Sequence, residues 1–457
     1  MFKNSIYFLT VCLFAFSTPL KSQHVVPVFD AVLFYDGYNT LEALADEIVP
    51  LPEGFYRLST SVITTKLSEE QLNMLSGYIQ LEVVVKAACD NYDRLGHVNL
   101  ALVPKDSALY NPNNTQRIEV ARFITPFMNK NKQPDTVPYI YQVDYLQHLF
   151  QDKNLREQFN FWLELEIFGV PYAANTQVAG CHGRSDVFYG TLWFTATEIA
   201  STLGNDYLFV PLFMKNRFNN YQEGATDTIG KTVKNMLFTV EKDVTDAHLV
   251  LITSNHGANI GGEEYNRRWH YVYMNHEEVL RYKPGRTTCE PFRKYNTQAN
   301  GIYGSTPKTD EQWQSFSNWC PGDVIDTRII NLGELTAGDY LFTISVPEAR
   351  FVGKEGDFPL SLYFQGKTKG TVGMKETITT DLEQVGLFPN PANHSFSIKA
   401  SEAVKAVTIH TFTGQQIIRK DDTSTVNISS LPSGFYVVYV ELTNGQKSVH
   451  KMVKQSF

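Results

Sequence analysis

The sequence predicts an all-β protein, and three observations carry that expectation. Aromatic residues are abundant, with 24 Tyr and 30 Phe among 457 residues, and such side chains suit the pleated, half-buried surface of a sheet. Gly occurs 29 times and Pro 20 times, which supplies the punctuation that many short strands need. The apolar runs are short and end at turn residues, whereas helical periods are few. At 457 residues the chain exceeds what one hydrophobic core usually serves, so about three domains are expected.

The clearest strand runs are Leu81 to Val85, Val98 to Val103, Leu192 to Phe194 and Leu249 to Ile252. Each is bounded by turn residues, as in sandwiches and jelly rolls. Helical periods are best over Ser68 to Leu75 and over Val143 to Gln158, and their polar flanks suggest surface excursions. Composition breaks near Gly366 to Thr380, where Gly, Lys and Thr dominate, and a second boundary is expected in the Gly180 to Asp186 region.

The N-terminus reads as an export signal. Met1-Phe2-Lys3-Asn4 is a short basic start, and Ile6 to Phe16 is apolar but too short to span a bilayer. Ser17-Thr18-Pro19 breaks the run, so residues 1–23 are expected to be removed near Ser22 or Gln23. Of five cysteines, Cys12 leaves with that segment, and Cys89, Cys181, Cys289 and Cys320 remain. An even count in an exported chain points to two disulfides, for which three pairings exist. The net charge of -8 argues against a nucleic-acid partner, which would favour a basic surface.

Beyond the Gly366 to Thr380 break, Leu387-Phe388-Pro389-Asn390-Pro391-Ala392-Asn393 opens a run of short strands that closes at Lys451-Met452-Val453-Lys454. Leu431-Pro432-Ser433-Gly434-Phe435-Tyr436 lies inside it. These residues resemble the C-terminal sorting domain of substrates of the bacterial type IX secretion system. The resemblance implies a small Ig-like β-sandwich over 385–457 that engages the secretion machinery, with the tail then removed or attached at the cell surface.

Two polar loops between strand runs are candidates for chemistry. Cys89-Asp90-Asn91-Tyr92-Asp93-Arg94 could hold the Asp93 carboxylate beside a cation that lowers its pKa, although the same residues suit a plain turn. The stretch from Ser254 to His270 is dense in donors and acceptors, and its glycines permit close backbone approach, as recognition of sugar hydroxyls requires. His256, Glu264 and His270 also offer metal-ligand chemistry, but their spacing matches no zinc motif.

At these loops the sequence resembles the peptide-N-glycosidase F family. The segment Cys89 to Arg94 is similar to its Cys-Asp-x-aromatic-Asp-Arg, and Arg122-Phe123-Ile124-Thr125-Pro126 to its Arg-Phe-Ile-Thr-Pro. Glu264-Tyr265-Asn266-Arg267-Arg268-Trp269-His270 resembles its Glu-aromatic-x-x-Arg-x-His, and Trp319-Cys320-Pro321-Gly322 with Arg328 resembles its Trp-Cys-Pro-Gly and downstream Arg. These matches fall in family order.

The resemblance implies two consecutive antiparallel jelly-roll domains, 24–183 and 184–366, a linker over 367–384, and an active site in the cleft between the jelly rolls. It implies hydrolysis of the glycan-asparagine amide of N-glycoproteins or glycopeptides, without a metal or organic cofactor. By that implication Asp93, Glu264 and Glu166 are the catalytic carboxylates, and Arg94, His256, Arg268 and Trp319 contact substrate. Glu164 competes with Glu166, being two residues away on the same strand face. The favoured pairings are Cys289 with Cys320 and Cys89 with Cys181, and the expected state is a monomer. The sequence departs from the family where Ser315-Phe316-Ser317-Asn318 lacks an arginine before Trp319, and where the cysteine preceding the Cys89 position is absent. Carboxylates flanking a sugar also suit an endo-glycosidase that cleaves between the core sugars. A jelly-roll lectin that binds glycans without turnover is the other alternative.

Overall fold

The computed structural model describes residues 23–454 except 108–109, 113–114, 201–202, 205, 222–230, 258–261, 317, 370–384, 401, 412–415, 433 and 446. The expected signal segment, save its last residue, and nearly all of the expected linker lie outside the described residues.

The chain divides into two compact units. Among the described residues, the first takes those within 23–115, 125–204 and 294–299. Its strands are β1 (His24–Tyr35), β2 (Phe55–Ser59), β3 (Val62–Lys66), β4 (Ser76–Ala87) and β5 (Leu95–Pro104). After β6 (Gln116–Ile124), which belongs to the second unit, come β7 (Thr136–Gln142), β8 (Phe159–Ile167) and β9 (Asp186–Glu198). The eight strands of this unit lie in the orders β1-β9-β4-β7 and β5-β8-β3-β2, with antiparallel neighbours, which makes a jelly roll. In β4 the alternation is regular: Ile79, Leu81, Val83, Val85 and Ala87 are buried while the residues between them are more exposed. Each large apolar side chain taken from water in this way contributes roughly 1.5–3 kcal/mol. The four expected strand runs lie within β4, β5, β9 and, in the second unit, the strand Val244–Thr253.

Both expected helical segments are short excursions. Helix α1 (Glu69–Met74) starts at a capping box in which Ser68 accepts from the Gln71 N–H and the Gln71 side chain accepts from the Ser68 N–H. The second expected stretch breaks into a 3-10 turn, α2 (Gln147–Phe150) and α3 (Lys153–Gln158), the last capped by Asp152. The expected boundary between Gly180 and Asp186 does not coincide with the division of the chain. β9 begins at Asp186 and sits between β1 and β4, so the first unit continues through β9.

The second unit comprises residues 116–124, 206–293 and 300–457. Its strands β10 (Tyr207–Phe218), β11 (Val233–Val240), β12 (Val244–Thr253), β13 (His270–Met274) and β14 (Glu277–Tyr282) are followed by β15 (Val324–Ile325), β16 (Arg328–Leu335), β17 (Gly338–Ser345) and β18 (Phe358–Thr368). The orders β10-β18-β12-β16 and β11-β17-β13-β14 form the second jelly roll, and β6 pairs with β15 through Arg122 and Phe123. Strand β18 is buried on nearly every residue, as a strand with neighbours on both sides and both faces covered should be.

Residues 386–454 build a small sandwich with its own core, which includes Phe396, Val407, Ile409, Val438 and Met452. Its strands are β19 (Gly386–Phe388), β20 (Ser395–Lys399), β21 (Val404–Thr411), β22 (Gln416–Asp421), β23 (Thr425–Asn427), β24 (Gly434–Leu442) and β25 (Lys447–Lys454). They order as β19-β20-β23 and β22-β21-β24-β25. Among the described residues no helix is long and apolar enough to cross a membrane.

Candidate active site

In the first unit, Asp93 lies in the loop from β4 to β5 and is half-buried, with every neighbour in the loop tied down. The disulfide Cys89–Cys181 anchors the loop start, and Lys130 Nζ donates to the Gly180 carbonyl at 2.9 Å beside it. Asp90, 1% exposed, accepts from the Tyr92 N–H at 2.8 Å, the Val170 N–H at 2.7 Å and Arg94 Nε at 2.9 Å. Burial pushes the Asp90 carboxyl up, and the Arg94 charge with these donors opposes the shift. The Arg94 N–H donates to Thr125 Oγ1 and the Thr125 N–H to the Arg94 carbonyl, both at 2.8 Å. This is how the loop is fastened without the family's additional cysteine. The cation expected beside Asp93 is engaged elsewhere, because Arg94 directs its Nε to Asp90 and its plane lies 5.3 Å from the Tyr92 ring centroid.

The register of β8 separates the two competing glutamates. Glu164 faces Asn99 on β5 and is fully buried, accepting from Asn99 Nδ2 at 2.9 Å and from the Tyr110 hydroxyl. Glu166 faces His97, two residues nearer the end of β5 from which Asp93 emerges, and is only partly buried.

In the second unit, the loop after β12 is fixed by its backbone. His256 exchanges two backbone hydrogen bonds with Asp357, at 3.0 and 3.1 Å. A Cβ on Gly356 would sit 2.1 Å from the His256 carbonyl oxygen, so that approach requires glycine. Ser254 Oγ and His256 Nε2 are 2.7 Å apart, and the His256 ring stacks on Trp319 at 6.1 Å.

Glu264 sits on a 3-10 turn, Glu263–Tyr265, and its carboxylate accepts from the Gly257 N–H at 3.3 Å. Burial pushes its pKa up, against the Gly257 N–H and the Tyr265 side chain. Asn318 stitches this turn to the His256 strand: its Nδ2 donates to the Glu264 carbonyl at 2.8 Å, and its Oδ1 accepts from the Asn255 N–H at 3.2 Å. Sequence reasoning missed that role, since Asn318 drew notice only as the place where an arginine was expected.

Three expected residues have other duties. Arg268 is committed to the fully buried Glu263 through Nε and Nη2, each at 3.1 Å, rather than presented to substrate. Trp319 is 6% exposed with its Nε1 on the Asn255 carbonyl, so it supports the His256 ring instead of offering a face to a sugar. His270 is fully buried and stacks on Tyr282 at 4.8 Å, which removes it from the metal set weighed with His256 and Glu264. Trp269 next to it is 41% exposed and is the aromatic that sequence reasoning passed over. Among the described residues no group of three His, Cys, Asp or Glu is placed to hold a metal ion. The second disulfide, Cys289–Cys320, forms as expected.

Known proteins agree with this architecture. Residues 25–182 match the family description "Peptide-N-glycosidase F, N terminal", residues 224–365 match "Peptide-N-glycosidase F, C terminal", and residues 386–455 match "Secretion system C-terminal sorting domain". The solved structure of PNGF-II is similar with a TM-score of 0.53 and 19% identity, over 76% of this chain and 66% of that one. The chain therefore spans just under two thirds of PNGF-II. The structure of PNGase F, described as a glycosylasparaginase from Flavobacterium meningosepticum, gives a TM-score of 0.46 and 15% identity, over 76% of this chain and 96% of that one. No curated protein matches the chain. Two consecutive family matches on two jelly rolls, followed by the tail match, place the chain in the peptide-N-glycosidase F family with a type IX secretion sorting domain at its C-terminal end.

Proposed function

We propose that this protein is a peptide-N4-(N-acetyl-β-glucosaminyl)asparagine amidase. The observation that supports this most is the Asp93 loop, whose flanking residues are all tied down by the Cys89–Cys181 bridge, the buried Asp90 and Thr125. A general base must be held this firmly to meet its proton in the transition state. Asp93 takes a proton from water as the water oxygen attacks the asparagine side-chain carbonyl carbon. The tetrahedral intermediate then breaks its C–N bond as the proton held by Asp93 passes to the nitrogen, which leaves as the glycosylamine. An aspartate remains in the peptide.

On the first unit Arg94 fixes the first N-acetylglucosamine and Glu166 anchors water or sugar, and on the second unit Glu264 is the carboxylate assigned to sugar positioning. The partly buried Glu166 is favoured over the fully buried Glu164. The substrates are N-glycoproteins or glycopeptides, met outside the cell or at its surface after type IX export. Mass spectrometry of a digested glycopeptide tests the reaction. An amidase leaves aspartate, heavier than asparagine by about one mass unit, where the glycan stood. One retained sugar would indicate an endo-glycosidase, and an intact glycan would indicate a lectin.

A further inference from the structure

A buried polar chain in the second unit ends on the His256 ring, and its members leave little freedom in where protons sit. Arg122 and Glu119 are both fully buried, with Nε on Oε1 at 2.8 Å and Nη2 on Oε2 at 2.6 Å. The Ser361 hydroxyl donates to the same Oε2, which leaves the carboxylate well supplied. Arg122 Nη1 donates onward to the Pro359 carbonyl at 2.8 Å and to Ser254 Oγ at 2.9 Å. A guanidinium has donors only, so Ser254 must accept from it.

Ser254 is 2% exposed, and His256 Nε2 at 2.7 Å is its other partner. Were Nε2 protonated, it would donate to Ser254, and the Ser254 hydroxyl proton would then be buried without an acceptor. That arrangement carries the full desolvation penalty of an unmade hydrogen bond, whereas a hydroxyl donating to a bare Nε2 satisfies both groups. We infer that Ser254, oriented by the buried Arg122–Glu119 pair, is a positioning residue that holds His256 as the tautomer carrying its ring proton on Nδ1. The imidazole is thereby a hydrogen-bond donor at Nδ1, suited to a sugar oxygen or an amide carbonyl and unsuited to a donor. Ring orientation is held as well, by the backbone exchange with Asp357 and by Trp319 against its face. The tautomer stands on geometry alone, and its use on an N-glycan rests on the amidase reading.

Two measurements test this separately. Long-range proton–nitrogen correlation spectra of protein labelled with 15N-histidine at about pH 7 report each ring nitrogen, with His256 assigned by the signal lost in His256→Asn. The wild type and Ser254→Thr should show a protonated Nδ1 and a bare Nε2, and Ser254→Ala should show mixed tautomers. A protonated Nε2 in the wild type, or an unchanged spectrum in Ser254→Ala, overturns the inference.

In kcat/KM on a denatured glycoprotein, His256→Asn places an amide donor near the Nδ1 position and should lose about 3-fold, while His256→Gln places it near Nε2 and should lose about 30-fold or more. The reverse order would also overturn it. If the wild type released no glycan, the amidase reading would fail while the spectra still decided the tautomer.

Discussion

His270 should make the protein lose stability between neutral and mildly acidic pH, by an amount that can be worked from its surroundings. It is fully buried between Tyr282 and Phe358, and desolvation lowers its pKa to about 3. The bond from Nδ1–H to the Arg268 carbonyl opposes that shift, and the nearby Arg328 adds to it. In the unfolded chain the ring titrates near about 6.5. The unfolded state therefore binds the extra proton first, so the stabilisation is complete above about 6.5 and is lost as pH falls toward 3. At about 1.36 kcal/mol per pH unit, moving from about pH 7 to pH 5 should cost about 2 kcal/mol from this residue alone. His270→Phe keeps the ring stack and removes the titration, at a cost of about 1 kcal/mol for the lost hydrogen bond. Urea unfolding followed by circular dichroism at both pH values should show the variant losing about 2 kcal/mol less than the wild type. Equal losses would refute the burial argument.

Glu119→Gln should destabilise the second unit by about 3–5 kcal/mol, because it leaves the buried Arg122 charge uncompensated; thermal unfolding measures this. Cys181→Ser opens a bridge across a 92-residue separation and should cost about 4–5 kcal/mol on the chain-entropy argument, read from urea titrations of the oxidised protein. Protein recovered from the native host medium should begin near His24 and lack the segment after Lys375, as N-terminal sequencing and intact mass would show. Full-length soluble protein in that medium would contradict the export account.

The strands were legible because side chains alternate with period two, and the buried set of β4 is the one its sequence marks. The Gly180 to Asp186 turn chemistry is real, but it joins elements inside the first jelly roll, and only the pairing of β9 with β1 and β4 reveals that. The loop that carries Asp93 was readable as turn residues between two strand runs, whereas the choice of Arg94 for Asp90 over a sequence neighbour depends on loop closure. The same reason hid the capture of Arg268 by Glu263 and the burial of Trp319. Adjacent carboxylates such as Glu263 and Glu264 look alike in sequence, yet one is a buried ion-pair partner and the other is only partly covered.

Asp93 is the proposed general base, and Asp93→Asn tests that role. Asn is nearly isosteric, and the Asp90, Thr125 and disulfide ties around the loop do not involve the replaced carboxylate. The variant should keep its circular dichroism spectrum and much of its glycan affinity while losing about 100-fold to 10,000-fold in the rate of glycan release from a denatured glycoprotein. Near-parental turnover in a folded Asp93→Asn protein would contradict the assignment.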